Sequence, residues 1–396
     1  MADRFYFAGF LAACCLTVSS FAAENVSLTD VPDYTWHAGC FGTATANLIG
    51  YWDRHGLPGM YTGPTAGGVA PLNSFGSNIG IRSLWASQAG LDGRPMDKPG
   101  HIDDYWESIG SFESTAPDPY DLAARAEHEP DSLGDFIGQS QRKYSDLDGE
   151  CSGNINGFAF NYWDKSGERM TNFVPPVIEG VPVRDIQSGL REFSRYRGYD
   201  ANVYSQLADF NSTLPPGKGF TFEDLKAEIK AGYPVVLFLQ GHEDYSRSLP
   251  GLPDANPRVH AMVAYGYLET DTGVQAVRYK TSWGSSGDNS FAQWNPADWE
   301  AFLPLRGVIL YHPQPRIIQV ERSASEVKVR WEGPTSVLRD ENDGATKPLH
   351  LYVVERADSL NSPFVAITEP SAELEATLSN TGGPQAFFRV TLVPAE

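Results

Sequence analysis

Apolar positions first recur at helical spacing after Cys40. Ala44, Leu48, Tyr51 and Trp52 fall on one side of a 3.6-residue period, so a helix opening at Cys40 and burying one face is predicted. Pro32 and Gly39 mark an extended approach and a tight turn just before it. From about Gly67 to Pro216 the chain is rich in Gly, Pro and Asp and only weakly periodic. Order returns with a predicted helix over Phe222–Ala231, stopped at Gly232 ahead of Pro234. Val235–Leu239, His260–Leu268 and Gln275–Trp283 then read as strands, β-branched or aromatic and bounded by turn residues. From about Pro313 the pattern changes to short alternating runs separated by polar turns. These are Ile317–Val320, Val327–Trp331, Leu349–Glu355, Phe364–Thr368, Leu374–Leu378 and Phe387–Leu392, and their spacing predicts a small β-sandwich over 313–396.

The start of the chain carries a different pattern. Arg4 and the amino terminus precede the apolar run Phe5–Val18, and Ser20-Phe21-Ala22 places small residues at −3 and −1 of a cleavage point. The run is shorter than the roughly 20 apolar residues a membrane span needs, so removal of residues 1–22 is expected rather than an anchor. Leu11-Ala12-Ala13-Cys14 also fits a lipoprotein box, but it would leave the apolar stretch Leu16–Ala23 behind the lipidated Cys14. The expected location is secreted, periplasmic or at the cell surface, with no transmembrane segment. The 396 residues carry a net charge of −20, which argues against nucleic acid and anionic membrane surfaces as partners. Asp103–Asp135 holds ten acidic residues with Arg125 as its only Arg or Lys, and reads as a solvated face. Cys14 and Cys15 leave with the export segment, so Cys40 and Cys151 remain. One disulfide or a reactive thiol both fit that count.

Cys40 stands where the unpaired N–H groups and dipole of a helix start favour negative charge, which lowers a thiol pKa from ~8.5. The same N–H groups can bind an oxyanion. Simple packing of the helix start fits Cys40 equally well. A nucleophilic cysteine needs a base, and His260 opens the strand His260-Ala-Met-Val-Ala-Tyr-Gly-Tyr267. Tyr279-Lys-Thr-Ser-Trp-Gly284 follows about twenty residues on. If the two strands pair antiparallel, residues near 281 lie beside His260 and supply a polar neighbour.

The segment Val31–Asp53 around Cys40, Gly232-Tyr-Pro-Val-Val236, His260–Tyr267 and Thr281-Ser-Trp-Gly284 together resemble papain-like cysteine peptidases. The nearest likeness is to the bacteriocin-processing peptidase-like domains of exported bacterial proteins. The resemblance covers about Val31–Tyr61 and Phe220–Tyr311, and it implies an α+β fold over 23–312 in which a nucleophile helix packs on an antiparallel sheet, with an insert at about 67–216. It implies Cys40 as nucleophile and His260 as general base. Thr281 falls where the family has an orienting Asn or Asp, with Asp288 or Asn289 in the following loop as alternatives. Tyr34 falls where the family has an oxyanion-hole Gln, beside the backbone N–H of Cys40, and Trp283 matches a residue shielding the histidine or is a core aromatic. Val329-Arg-Trp331, Tyr352-Val-Val-Glu-Arg356 and Phe387-Phe-Arg-Val390 resemble the fibronectin type III-like modules appended to exported bacterial enzymes.

The resemblance implies a thiol peptidase or amidase acting on a peptide or protein without a cofactor or metal. An acyl transferase using the same pair is a second reading. A third is a catalytically impaired binding module whose sandwich contacts carbohydrate or protein. The remaining histidines support no zinc spacing: His37 precedes Cys40, His55 suits the helix C-terminus, and His242 follows a strand. The oxygen-rich stretch Asp146–Gly157 lacks the register of a calcium loop and reads as a polar turn.

Overall fold

The computed structural model describes residues 23–35, 40–60, 69–73, 130, 133–138, 162–178, 181–182, 184–210, 214–240, 259–282, 290–295, 305–380 and 385–395. The export segment, His37, Cys151, the 146–157 stretch, His242, Trp283, Asp288 and Asn289 lie outside these residues. In chain order the elements are β1 (Glu24–Leu28), α1 (Cys40–Arg54), α2 (Leu133–Phe136), β2 (Met170–Thr171), β3 (Val177–Ile178), β4 (Val181–Pro182), α3 (Ile186–Tyr196), β5 (Ala201–Leu207), α4 (Phe222–Lys230), β6 (Val235–Gln240), β7 (Val259–Glu269), β8 (Gln275–Lys280), β9 (Ser290–Gln293) and β10 (Leu305–Pro313). The C-terminal part adds β11 (Arg316–Arg322), β12 (Glu326–Glu332), β13 (Val337–Asp340), β14 (Thr346–Pro348), β15 (His350–Ala357), β16 (Val365–Ala366), β17 (Glu375–Ser379) and β18 (Phe387–Pro394). The fold is a β-rich mixed one, mostly antiparallel sheet with few helices. Among the described residues no helix is long and apolar enough to cross a membrane.

A ten-stranded sheet runs β14-β13-β1-β7-β6-β10-β5-β2, with β8 on β7 and β9 on β8. Its spine is β7. Val263 and Ala264 pair with both β6 and β8, while Gly266–Glu269 pair with both β1 and β8, so β6 and β1 share one edge of β7 in succession. The register slips between Ala264 and Gly266 opposite β8, a bulge that changes which side chains face each layer. Gly266 permits the close approach of β1, because a Cβ there would meet the Val26 carbonyl at 2.4 Å.

The helix at Cys40 forms as the spacing predicts, but it does not bury one face: every residue from Cys40 to Asp53 is buried. Small residues make this fit. A Cβ on Gly50 would meet the Tyr34 hydroxyl at 2.4 Å, and β6 and β7 pack against another side of the helix. Asp53 accepts from Gly59 N–H (3.1 Å) and Ala70 N–H (2.8 Å), and Arg54 donates to the Ala70 carbonyl (2.7 Å), so the helix end also holds the chain that follows it.

The region 67–216, read as weakly periodic, contributes to the core. Asp185 caps α3 by accepting from Ser188 N–H at 2.8 Å, and Ile186, Leu190 and Phe193 are buried. Strand β5 alternates buried and half-buried positions and pairs with β10 along its length. Strands β1, β5, β10, β13 and β14 were not among the predicted elements. The sequence-predicted strands of the last eighty residues each overlap an observed one, and two three-stranded sheets, β11-β12-β17 and β16-β15-β18, enclose Val329, Trp331, Tyr352 and Val354. The β13–β14 hairpin departs from that pair of sheets and extends the long sheet beyond β1.

Candidate active site

Cys40 opens α1 and His260 is the second residue of β7, and the packing brings these two starts to one edge. The Phe41 and Phe238 rings meet edge to face with centroids 5.3 Å apart. Phe238 pairs across to Ala261, and Leu239 to His260. At the other end of α1, Trp52 lies 5.7 Å from the Tyr233 ring, just before β6 begins. The helix therefore runs opposite to β6 and in the same sense as β7, and its N-terminus stands over the start of β7. Cys40 and His260 are both buried, and among the described residues Cys40 carries a thiol and not half of a disulfide.

Strand β8 pairs with β7 in the register that places Lys280 opposite Val263. The chain then leaves the strand, and the Thr281 carbonyl comes within 2.7 Å of His260 Nε2. A carbonyl oxygen only accepts, so Nε2 carries the proton and Nδ1 of the neutral ring carries the lone pair. A polar neighbour at residue 281 is present, and the contact it makes with Nε2 is through the main-chain oxygen of Thr281. Ser282, next along, is buried with φ of 62°, in the left-handed region that few non-glycine residues adopt. Ser282 belongs to the segment Thr281-Ser-Trp-Gly284 that carries the resemblance, but its left-handed backbone was not readable there, because serine is not a preferred left-handed residue.

Tyr34 is not where an oxyanion donor would have to be. Its hydroxyl donates to the Pro71 carbonyl at 2.8 Å and lies against Gly50. Gly50 is ten residues along α1 from Cys40, a distance of about 15 Å at 1.5 Å per residue. Asn47 accepts from Tyr34 N–H at 2.9 Å and fixes that placement. The oxyanion assignment of Tyr34 is therefore corrected: it is a buried strut for α1. The helix start itself offers donors at Cys40, the backbone N–H groups of the first helical turn.

His55 lies at the opposite end of α1, in a structural setting. Nε2 faces the Thr29 carbonyl at 3.0 Å and Nδ1 the Thr335 carbonyl at 3.4 Å, while burial pushes its pKa below the ordinary histidine range. His350 packs nearby, accepts from Ser336 N–H at 3.3 Å, and is lowered to about 4 by burial, with the proximity of His55 adding to the shift. Among the described residues no group of three or more His, Cys, Asp or Glu side chains is placed to hold a metal ion. No protein-family model matches this chain, and no curated protein matches it.

Proposed function

We propose that this protein is an exported thiol hydrolase of papain-like architecture that cleaves amide bonds in peptides or proteins. The observation carrying the reading is the His260 ring, held through Nε2 by the Thr281 carbonyl at the edge where Cys40 opens a buried helix. His260 Nδ1 takes the proton of Cys40, and the thiolate attacks the amide carbonyl carbon. The backbone N–H groups at the helix start bind the oxyanion. Collapse breaks the C–N bond as His260 returns the proton to the leaving amine. Water, deprotonated by His260, then hydrolyses the thioester. Export is supported by the position of β1, which opens at Glu24, two residues after the expected cleavage. The fibronectin type III-like reading of the last eighty residues is supported by the two facing three-stranded sheets and their shared core.

One observation favours a second reading, a peptidase-like binding module or an acyl transferase. With Tyr34 committed to Pro71, an oxyanion hole at Cys40 lacks the side-chain donor that the resemblance implies. The C-terminal sheets also expose Ile318, Val320, Leu360, Val365 and Ile367, which suits contact with a protein or carbohydrate. Incubation of the mature chain with a mixed peptide library, with and without a primary amine, separates the readings. Hydrolysis lost in Cys40→Ala supports the hydrolase, and an amine conjugate supports transfer. Cleavage retained in Cys40→Ala removes both.

A further inference from the structure

We propose that His350 is a proton-operated latch: with a proton on Nδ1 it can no longer accept the Ser336 N–H, and the segment 333–336 lets go of the end of α1. That segment is the crossing from β12, in the C-terminal sheets, to β13, in the long sheet. Gly333 N–H donates to the Gly56 carbonyl at 3.0 Å and Thr335 N–H to the His55 carbonyl at 3.1 Å. Ser336 is wholly buried. Its Oγ donates to the Gly232 carbonyl at 2.7 Å, and its N–H to His350 Nδ1 at 3.3 Å. Three of these acceptors are carbonyls, and the fourth is an imidazole that titrates.

The contact with Ser336 fixes the state of the ring. A backbone N–H only donates, so Nδ1 carries the lone pair and the neutral ring holds its proton on Nε2. A second proton has to go to Nδ1, where it would face the Ser336 N–H donor to donor. The ring is hemmed in: a Cβ on Gly232 would meet Cε1 at 2.7 Å, and the Tyr233 and Trp52 rings stand 5.4 and 6.4 Å away. The titratable and charged groups around this seam are Tyr51, Arg54 and His55 at the end of α1, Tyr233 after α4, and Tyr352 in β15, with Asp30 acting on Tyr51 and His55. Glu228 is engaged with His312 at 2.6 Å, on a ring stacked against Tyr233. None of these carboxylates offsets a charge on His350. Burial, and then repulsion from His55, lowers its pKa to about 4. A released ring titrates near ~6.5, so the open state binds the proton first as pH falls, and acid favours opening. His55 responds in the opposite sense. Its two nitrogens face the Thr29 and Thr335 carbonyls, so a second proton there adds a donor to the seam. Release therefore belongs to His350.

Hydrogen exchange read by mass spectrometry on the full chain tests the latch, with rates corrected for the intrinsic effect of pH. Between pH 7 and 4.5 the amides of Gly333, Thr335 and Ser336 are expected to exchange about tenfold faster or more, while β5 and β10 keep their protection. His350→Gln stays neutral and still offers an acceptor, so exchange of this segment is expected to stay level across the range. Should His350→Gln not fold, His350→Phe takes its place. It is expected to show faster but equally level exchange, because the Ser336 N–H has lost its acceptor. His55→Gln is expected to retain the acid-dependent rise. Protection that falls equally in β5 and β10 would mean global acid unfolding and overturn the latch. So would a wild-type segment indifferent to pH, or a rise in the His350 variants equal to that of the wild type. Abolition of the rise in His55→Gln would move the trigger to His55 and overturn it as well.

Discussion

Two buried histidines stand at opposite ends of α1, and their ring nitrogens are held differently. His55, just past Arg54, presents both nitrogens to carbonyl oxygens, those of Thr29 and Thr335. A neutral imidazole has one proton and can satisfy only one of them, while burial opposes the charged form that would satisfy both. His260 presents Nε2 to the carbonyl of Thr281, a contact that calls for the proton on Nε2. The first arrangement ties the N-terminal part to the C-terminal part, since Thr335 also donates its N–H to the His55 carbonyl at 3.1 Å. In the proposed function the second orients a base. Burial alone does not distinguish a catalytic histidine from a structural one. Where the ring stands, beside the start of α1 or wedged between carbonyls of two parts of the chain, is the difference between these two.

Removing parts of each end sharpens that contrast. The largest effect is expected at the structural end. Trp52 is wholly buried against Tyr51, Tyr233, Tyr311 and His350, and Trp52→Ala should cost about 3–5 kcal/mol in a denaturant titration.

Acid comes next. A folded pKa of about 4 for His350, against ~6.5 unfolded, means the unfolded chain binds the proton first as pH falls. The stability this group contributes is complete above pH ~6.5 and declines below it, by about 3 kcal/mol at pH 4. His55, shifted in the same direction, adds to the loss. Titrations at pH 7, 5.5 and 4 on the wild type and His350→Gln should show a shallower decline in the variant. Equal slopes would remove His350 from the account.

At the reactive end, His260→Ala should slow alkylation of Cys40 at pH 6 by about 100-fold, equivalent to ~2.7 kcal/mol. His55→Ala should instead lower stability, which a paired thermal melt and alkylation assay would read together. The smallest effect is expected for Tyr34→Phe, which loses one hydrogen bond to Pro71 and about 1 kcal/mol of stability. A fall of ~10²-fold or more in turnover would instead restore Tyr34 as an oxyanion donor.

The parts of this fold legible in the sequence are those with a strong local signal. Period 3.6 after Cys40 marks α1, and Gly232 marks the end of α4 doubly. It adopts φ of 91°, and a Cβ there would meet His350 at 2.7 Å. The missed elements had weaker but readable signals. Asp185 with Ile186, Leu190 and Phe193 is a cap followed by helical spacing, and Ala201, Val203, Ser205 and Leu207 alternate inward along β5. Both sit in a stretch whose abundant Gly and Pro suggest loops. The β13–β14 hairpin is short, and its membership in the long sheet comes from pairing with β1, more than three hundred residues earlier. For the site, residue types pointed to Cys40 and His260, and strand pairing pointed to the neighbourhood of Thr281. The backbone acceptor and the turn at Ser282 were not legible, because a main-chain oxygen has no residue type. Tyr34 was misplaced for a related reason. Sequence offset counts residues before Cys40, whereas its hydroxyl follows the packing and reaches Gly50.

The central claim, an activated Cys40–His260 pair, is tested most directly by intact mass after iodoacetamide at mildly acidic pH without reductant. Wild type, Cys40→Ala and His260→Ala would be compared. Rapid single labelling of the wild type, absent in Cys40→Ala and slowed about 100-fold in His260→Ala, is the expected result. An unlabelled wild type two hydrogens light would place Cys40 in a disulfide with Cys151, and equal labelling with and without His260 would show an ordinary thiol. Either result would contradict the account.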